Sequence, residues 1–246
     1  MKTPGPKKIS VCIISLNEEA CLKTCLESVK WADEIVIVDS GSTDNTKTIA
    51  SEYTDKFFHN PWPGFGEQRQ KAEKLASNDW ILAIDCDEAL SPELVQSLQN
   101  EELSKNTVYS FNRLTRFQGR WIKHSGWHPD WIARLYNRTH TSFNQSKVHE
   151  KVITTDCRKH KLSGLLYHYN EDSWNQYKSQ LKKYASISAN EKKLKNKKSN
   201  PLSRASRSIF AFLRHYVFKL GFLDGHPGWL IAWAQVRYTW DKYNLK

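Results

Sequence analysis

Two acids, Asp85 and Asp87, follow directly on the apolar run Trp80–Ile84 (WILAI). Carboxylates at i and i+2 at the mouth of a buried strand are costly unless each is paired or holds a cation. Oxygen donors of this kind suit Mg²⁺ or Mn²⁺ bound jointly with substrate phosphates. Acids also follow two earlier apolar runs. Ile9–Ser15 (ISVCIIS) leads to Asn17, Glu18 and Glu19, and Glu34–Asp39 (EIVIVD) leads through Ser40-Gly41-Ser42-Thr43 to Asp44. Taken singly, Asp44 reads as a helix cap, and Glu18 and Glu19 as acids opposing a helix dipole. Taken together they predict one site edge, because ligands of open parallel sheets bind beyond the carboxyl ends of the strands. No G-x-G-x-x-G follows the first run, and no G-x-x-x-x-G-K-[ST] occurs. This argues against a dinucleotide enzyme and a P-loop enzyme. A nucleoside diphosphate held through a metal instead of a glycine loop remains.

The elements that must position these acids alternate in period. Asn17 is placed to cap a helix through Glu18–Val29, and Asp44 and Asn45 open another to about Tyr53. Lys56–His59 reads as a short strand, Phe65–Ala76 as a helix, and Ser91-Pro92-Glu93 as a helix start. Strands spaced by helices predict a parallel sheet with covered faces. After Asn106 the pattern changes. Thr107–Phe117 alternates as a strand, Gln118-Gly119 turns, and Trp121–Lys123 offers a return. Lys147–Thr154 and Leu162–His168 read as short strands, and Trp174–Lys195 and Leu202–Leu220 as helices. The histidines from His124 to His168 lack zinc spacing and read as acceptor contacts or core. The expected organisation is an α/β domain over 1–170, with a nucleotide half at 8–105 and an acceptor half at 106–170. A helical basic tail follows over 171–246.

The formal net charge is +11, and its source is local. Between Lys178 and Lys219 stand 12 lysines and arginines against the single acid Glu191, which accounts for the whole excess. A neutral domain with a basic appendage is not a general nucleic-acid binder. The five cysteines form no C-x-x-C pair and read as reduced thiols of a cytosolic chain. No signal peptide is expected, and no run of 18 apolar residues occurs. At 100° per residue, Leu202–Leu220 gathers Ile209, Phe212, Leu213, Tyr216, Val217 and Leu220 on one arc. Arg204, Arg207, Arg214 and Lys219 fall opposite, with Phe218 a misfit. A basic amphipathic helix reads as an anchor to an anionic membrane surface, and the alternative is a helix packed on the domain.

The ordered segments ISLNEE, VDSGSTDNT and LAIDCDE resemble family 2 glycosyltransferases with the GT-A fold. Trp62–Ala72 (WPGFGEQRQKA), Trp127–Arg138 (WHPDWIARLYNR), Val148–Val152 (VHEKV) and Gly221–Trp229 (GFLDGHPGW) are similar to one branch. That branch is the lipopolysaccharide core β-1,4-glucosyltransferases of the WaaE/KdtX type, and the likeness covers nearly the whole chain. It implies a GT-A fold with a mostly parallel central sheet and a C-terminal basic helical extension. It also implies a metal-dependent inverting transferase that moves a hexose, glucose by resemblance, from a UDP-sugar to a heptose of the lipopolysaccharide inner core. The implied place is the cytoplasmic face of the inner membrane, with peripheral attachment.

Residue by residue, the resemblance has Asp39 accept from uracil or ribose, with Asn17 and Glu19 near the same nucleoside. Asp85 would lie near the ribose and sugar, and Asp87 would hold the Mg²⁺ or Mn²⁺ that bridges the diphosphate. Arg69 would contact the donor sugar, and Arg134 and Arg138 are candidates for phosphate or acceptor contacts. Cys86 and Gln70 stand where the family leads one to expect alanine and asparagine. An inverting transferase needs one base within ~3 Å of the acceptor hydroxyl. Glu150 is the first choice, with Asp130 and Glu88 in reserve; the plainer reading of Glu150 is a strand glutamate paired with Lys147 or Lys151. Three other functions compete. They are a GT-A transferase with another lipid-linked or polysaccharide acceptor, a nucleotidyltransferase consuming a nucleoside triphosphate, and a nucleic-acid module using Lys192–Arg207.

Overall fold

A computed structural model describes residues 7–144, 150–169, 174–194 and 200–244. The chain divides into two units, one of residues 1–113 and 130–169 and one of 114–129 and 170–246. The sheet runs β3-β2-β1-β4-β8-β6-β9-β5. Its first half comprises β1 (Ile9–Ser15), β2 (Glu34–Asp39), β3 (Phe57–His59) and β4 (Trp80–Asp85). These pair in parallel, with Val11 opposite both Ile35 and Leu82. A strand paired on both edges and covered on both faces must be apolar throughout, which is why ISVCIIS does not alternate. Val11 and Ile13 point into one core layer with Leu26, Leu82, Leu94 and Phe111, and Cys12 into the other with Val38, Ala72 and Tyr136.

Beyond β4 the strands are β5 (Glu88–Leu90), β6 (Thr107–Phe117), β7 (Arg120–Trp121), β8 (Asp130–Asn137) and β9 (Arg158–His168). The pairs β4–β8, β6–β8, β6–β7 and β5–β9 are antiparallel. The parallel arrangement therefore belongs to the half that carries the acids of β1, β2 and β4. Helices α1 (Leu22–Val29), α2 (Thr46–Ser51), α3 (Phe65–Leu75) and α4 (Pro92–Asn100) lie between strands in sequence. α1 buries Leu22, Cys25, Leu26 and Val29 at helical spacing. α4 starts where Ser91 predicts: its side chain accepts from Leu94 N, and also from Leu165 N of β9. Gly164 permits that approach, since its φ is +98° and a Cβ there would meet Leu94 N at 2.3 Å.

Several expectations need correction. Asn17 does not cap α1, because it sits in the left-handed region with φ 55° and the helix begins at Leu22. Of the strand expected at Lys147–Thr154, residues 145–149 lie outside the described ones. The rest forms only the isolated bridge Val152–Phe143. β8 was hidden because Asp130 and Arg134 interrupt its apolar pattern. The helix expected over Leu202–Leu220 is α6 (Pro201–Leu213) followed by a π-helical turn over Arg214–Phe218. The wider turn shifts the side-chain phase, and Phe218 stays two-thirds exposed.

The second unit also contains α5 (Trp174–Leu194), a 3₁₀ turn (Gly221–Asp224) and α7 (His226–Lys242). Its core joins Phe117, Ile122, Tyr177, Leu230 and Ile231. Buried Asp224 accepts from the backbone N–H groups of Lys123 and His124 and from Ser125 Oγ at 2.7 Å. This knot ties the β7 hairpin to the helical region. α7 opens with Gly225 and Pro227, a helix start concealed by the aromatic character of the segment.

Candidate active site

The loops after β1 and β2 clasp one another. Asn17 Oδ1 accepts from Thr43 N, Asn17 N donates to Ser42 Oγ, and Glu19 Oε2 accepts from Asn45 N and Nδ2. Asp39 organises the turn from beneath. Its Oδ1 accepts from Gly41 N and Ser42 N at 2.8 and 2.7 Å, and its Oδ2 from Ser15 Oγ and Ser42 Oγ. Burial pushes its carboxyl up, but the hydrogen bonds from Ser42, Gly41 and Ser15 outweigh that and hold it below the usual range. A carboxylate offers about four lone-pair sites, and all four are engaged. Asp39 thus shapes the loop, and accepting from a base or ribose would require exchanging one of these bonds.

The end of β4 is built differently, from charge. Asp85 Oδ1 accepts from Arg69 Nη2 at 2.5 Å and Oδ2 from Arg134 Nη2 at 2.7 Å. Burial alone would raise its carboxyl, but the two guanidinium groups hold it well below the ordinary carboxylate range. Arg134 Nη2 also donates to Glu88 Oε1 at 2.5 Å, and Asp85 N donates to Glu88 Oε2 at 3.1 Å. Glu88 is fully buried, and burial pushes its pKa up against the pull of Arg134. A carboxyl clamped inside the protein cannot reach an acceptor hydroxyl, so Glu88 drops out as a reserve base.

A cavity of about 560 Å³ opens beside this clamp, lined by Arg69, Asp85, Asp130, Trp131, Arg134 and Glu150 among others. Glu150 Oε1 lies 3.3 Å from Arg69 Nε. Asp130 Oδ2 takes two bonds from Arg113, from Nε at 3.0 Å and Nη2 at 2.8 Å. Arg69 comes from α3, whose inward face is unusually polar: Gln68, Arg69 and Glu73 are buried with Ala72. Gln70 donates to Phe143 O, which ties α3 to the strip preceding Glu150. Arg69 Nη1 is buried with no hydrogen-bond partner among the described residues, a donor beside the cavity. Arg138, in contrast, donates to the carbonyls of Glu73 and Ala76 at the end of α3. These bonds satisfy helix-end acceptors and engage Nη1, so a phosphate or acceptor contact would use the other nitrogens of Arg138.

Asp87 lies two residues on, with His168 Nε2 3.0 Å from its Oδ2. Burial pulls His168 down, but its hydrogen bond to Asp87 and that carboxylate's charge outweigh this and raise its pKa. Glu18 is pushed up to about 7 by burial, with Asp87, Asp85 and Asp44 adding to the effect. Carboxylates crowded without enough positive charge fit a divalent cation. Among the described residues no three His, Cys, Asp or Glu side chains cluster to hold a metal alone. Mg²⁺ keeps waters and binds through one or two carboxylates plus substrate phosphates, and Asp87 would be the carboxylate to hold it here. Sequence reasoning missed His168 and Arg113 as partners of the acids. Their only signal was a charged residue within a strand pattern.

The Glycosyl transferase family 2 description matches residues 10–161. An uncharacterized glycosyltransferase of Rickettsia typhi is 32% identical over 94% of this chain and 85% of that protein. The lipopolysaccharide core biosynthesis glycosyltransferase LpsC of Rhizobium meliloti is 27% identical over 97% of this chain and 94% of that protein. Among solved structures, S. aureus TarS in complex with UDP aligns at 18% identity with a TM-score of 0.47, covering 74% of this chain and 66% of that one. With its match over residues 10–161, the chain belongs to glycosyl transferase family 2, a transferase with the GT-A fold.

Proposed function

We propose that the protein transfers a hexose, glucose first among candidates, from a UDP-sugar to a heptose of the lipopolysaccharide inner core, with inversion and with a divalent metal. The observation that carries the reading is the cavity at the end of β4, where Glu150 and the clamped Asp85 line one space. The likeness to LpsC over nearly the full chain supports the lipopolysaccharide acceptor.

In this reading the clasped loops around Asn17, Glu19 and Asp39 receive the nucleoside. Arg69 and Arg134 fix Asp85 against the donor, and the buried Nη1 of Arg69, without a hydrogen-bond partner among the described residues, is a ready donor to the sugar or phosphate. Asp87, with His168 as orienting partner, would hold Mg²⁺ or Mn²⁺. When bound, the metal offsets the charge that develops on the UDP leaving group. Glu150 takes the proton of the acceptor hydroxyl as its oxygen attacks the anomeric carbon; the C–O bond to UDP breaks on the opposite face. Asp130 is second to Glu150 because one of its oxygens already accepts twice from Arg113. Trp131, exposed at the cavity wall, is suited to an acceptor ring.

Peripheral attachment to an anionic membrane belongs to the same proposal. No helix among the described residues is long and apolar enough to cross a membrane. Along α6 and the turns after it, Ile209, Phe210, Phe218 and Leu223 are each more than half exposed, with Arg214 and Lys219 exposed between them. Apolar side chains interleaved with cations suit the headgroup region of an anionic bilayer. The test of the whole reading is a donor screen with purified protein, Mn²⁺ and heptose-containing core oligosaccharide. A β-linked hexosyl product from UDP-glucose is expected. Pyrophosphate release from a nucleoside triphosphate with no transfer from any UDP-hexose would overturn it.

A further inference from the structure

The helical unit holds a second recess, a groove of about 1040 Å³ between α5 and α7, in addition to the exposed strip of α6. Its walls are of two kinds. On α7, the indoles of Trp229 and Trp233 lie 6.0 Å apart and 2° from parallel, and both are more than two-fifths exposed. His226 continues the stack at 6.3 Å and 16°. On α5, Trp174, Lys178 and Lys182 recur at four-residue spacing and so share one face, with Lys178 Nζ 5.2 Å from the Trp174 ring centre. Arg237 lies on the α7 side, and Asp241 is the single acid among the described lining residues.

Neither core packing nor solvation accounts for this combination. Two large indoles, stacked on each other and still more than two-fifths exposed in a concave surface, keep aromatic area open to a ligand. The surrounding Asn175, Ser179 and Ser186 offer amide and hydroxyl groups that acyl chains would leave unsatisfied. Flat indole faces match the apolar faces of pyranose rings, and amides and hydroxyls match sugar hydroxyls. Lys178, Lys182 and Arg237 match phosphate or carboxylate substituents, which lysine binds as a point charge.

The geometry points to a binding site for an anionic oligosaccharide in the α5–α7 groove, separate from the cavity that holds Glu150. The inference rests on the glycosyltransferase reading in one respect, that the chain handles saccharides. The ligand class is a chain of sugars carrying phosphate or carboxylate groups, as a remote part of the acceptor would. The groove adds affinity for the acceptor and takes no part in bond making.

The test uses the full chain and four probes: phosphorylated core oligosaccharide freed of lipid, the same material after phosphatase, oligodeoxythymidylate, and anionic vesicles. Calorimetric affinity is measured for wild type, Trp233→Ala, Trp233→Phe and Lys182→Glu. Trp233→Ala should weaken phosphorylated oligosaccharide about tenfold, the effect of one lost stacking face, with Trp233→Phe recovering part of it. Lys182→Glu should weaken the phosphorylated probe and leave the dephosphorylated one within about twofold. Trp233 and Lys182 are exposed, so melting curves should coincide with wild type. If hexose is transferred to the core while Trp233→Ala and Lys182→Glu bind it as wild type does, the groove proposal fails and the activity stands. If no UDP-hexose is transferred but these variants lose oligosaccharide binding, the activity reading fails and the groove stands. Absence of oligosaccharide binding in wild type, or tighter binding of oligodeoxythymidylate or vesicles through Trp233, overturns the groove proposal.

Discussion

At the end of β4 the charged side chains are interlocked, whereas in the turn that follows α6 they are laid open. Arg69 engages Asp85 and Glu150, Arg134 engages Asp85 and Glu88, and Arg113 engages Asp130. Arg214 and Lys219 stand exposed beside Phe210 and Phe218. The difference matches the work proposed for each region. Bond making requires groups fixed before the substrate arrives, so charge is buried and held from several sides. A lipid surface has no fixed register, so area and net charge suffice.

The largest effect expected from this contrast falls on Asp87. Asp87→Asn keeps the shape of the carboxyl but loses its charge, so the fold should survive and transfer should disappear. Circular dichroism and a UDP-release assay at limiting Mn²⁺ check this; near-wild-type turnover would remove the metal assignment.

Next come two arginine substitutions that set the regions against each other. Arg134→Met removes the guanidinium nearest to buried Glu88, leaving it Asp85 N and, at 3.8 Å, Arg113, which should cost about 3–5 kcal/mol of stability. Arg214→Met, at an exposed site, should stay within about 0.5 kcal/mol. Denaturant midpoints decide, and equal losses would erase the contrast. The smallest effect belongs to the open region. Lys219→Gln should weaken attachment to anionic vesicles by about 1 kcal/mol, and the difference should fade as salt shortens the Debye length to about 3 Å near 1 M. Unchanged co-sedimentation across the salt series would disconnect this strip from the membrane.

The parallel half of the sheet was legible because buried strands leave uninterrupted apolar runs, and the acids at their ends stood out against them. α4 was legible through Ser91 and Pro92, whose capping chemistry is local. β8 was not, since the side chains that make it useful, Asp130 and Arg134, break its pattern. Roles that depend on partners distant in sequence were equally hidden. Nothing near Asp39 announces that its four lone pairs close a turn. Nothing near Arg138 announces that it serves the end of α3, 62 residues away in sequence at Ala76. The Asp87–His168 pair joins the residue just beyond β4 to the last residue of β9, far apart in sequence.

The central claim is that Glu150 removes the acceptor proton in the cavity beside Asp85. The direct measurement compares Glu150→Gln and Asp130→Asn for single-turnover transfer from UDP-glucose to core oligosaccharide, with UDP-glucose affinity measured in parallel. Loss of a general base costs on the order of 10²–10⁴-fold, and donor binding does not involve that proton. Glu150→Gln should therefore bind UDP-glucose as wild type does and transfer slower by that factor, with Asp130→Asn retaining most of the rate. Normal turnover in Glu150→Gln together with an inactive Asp130→Asn would contradict the account and move the base to Asp130.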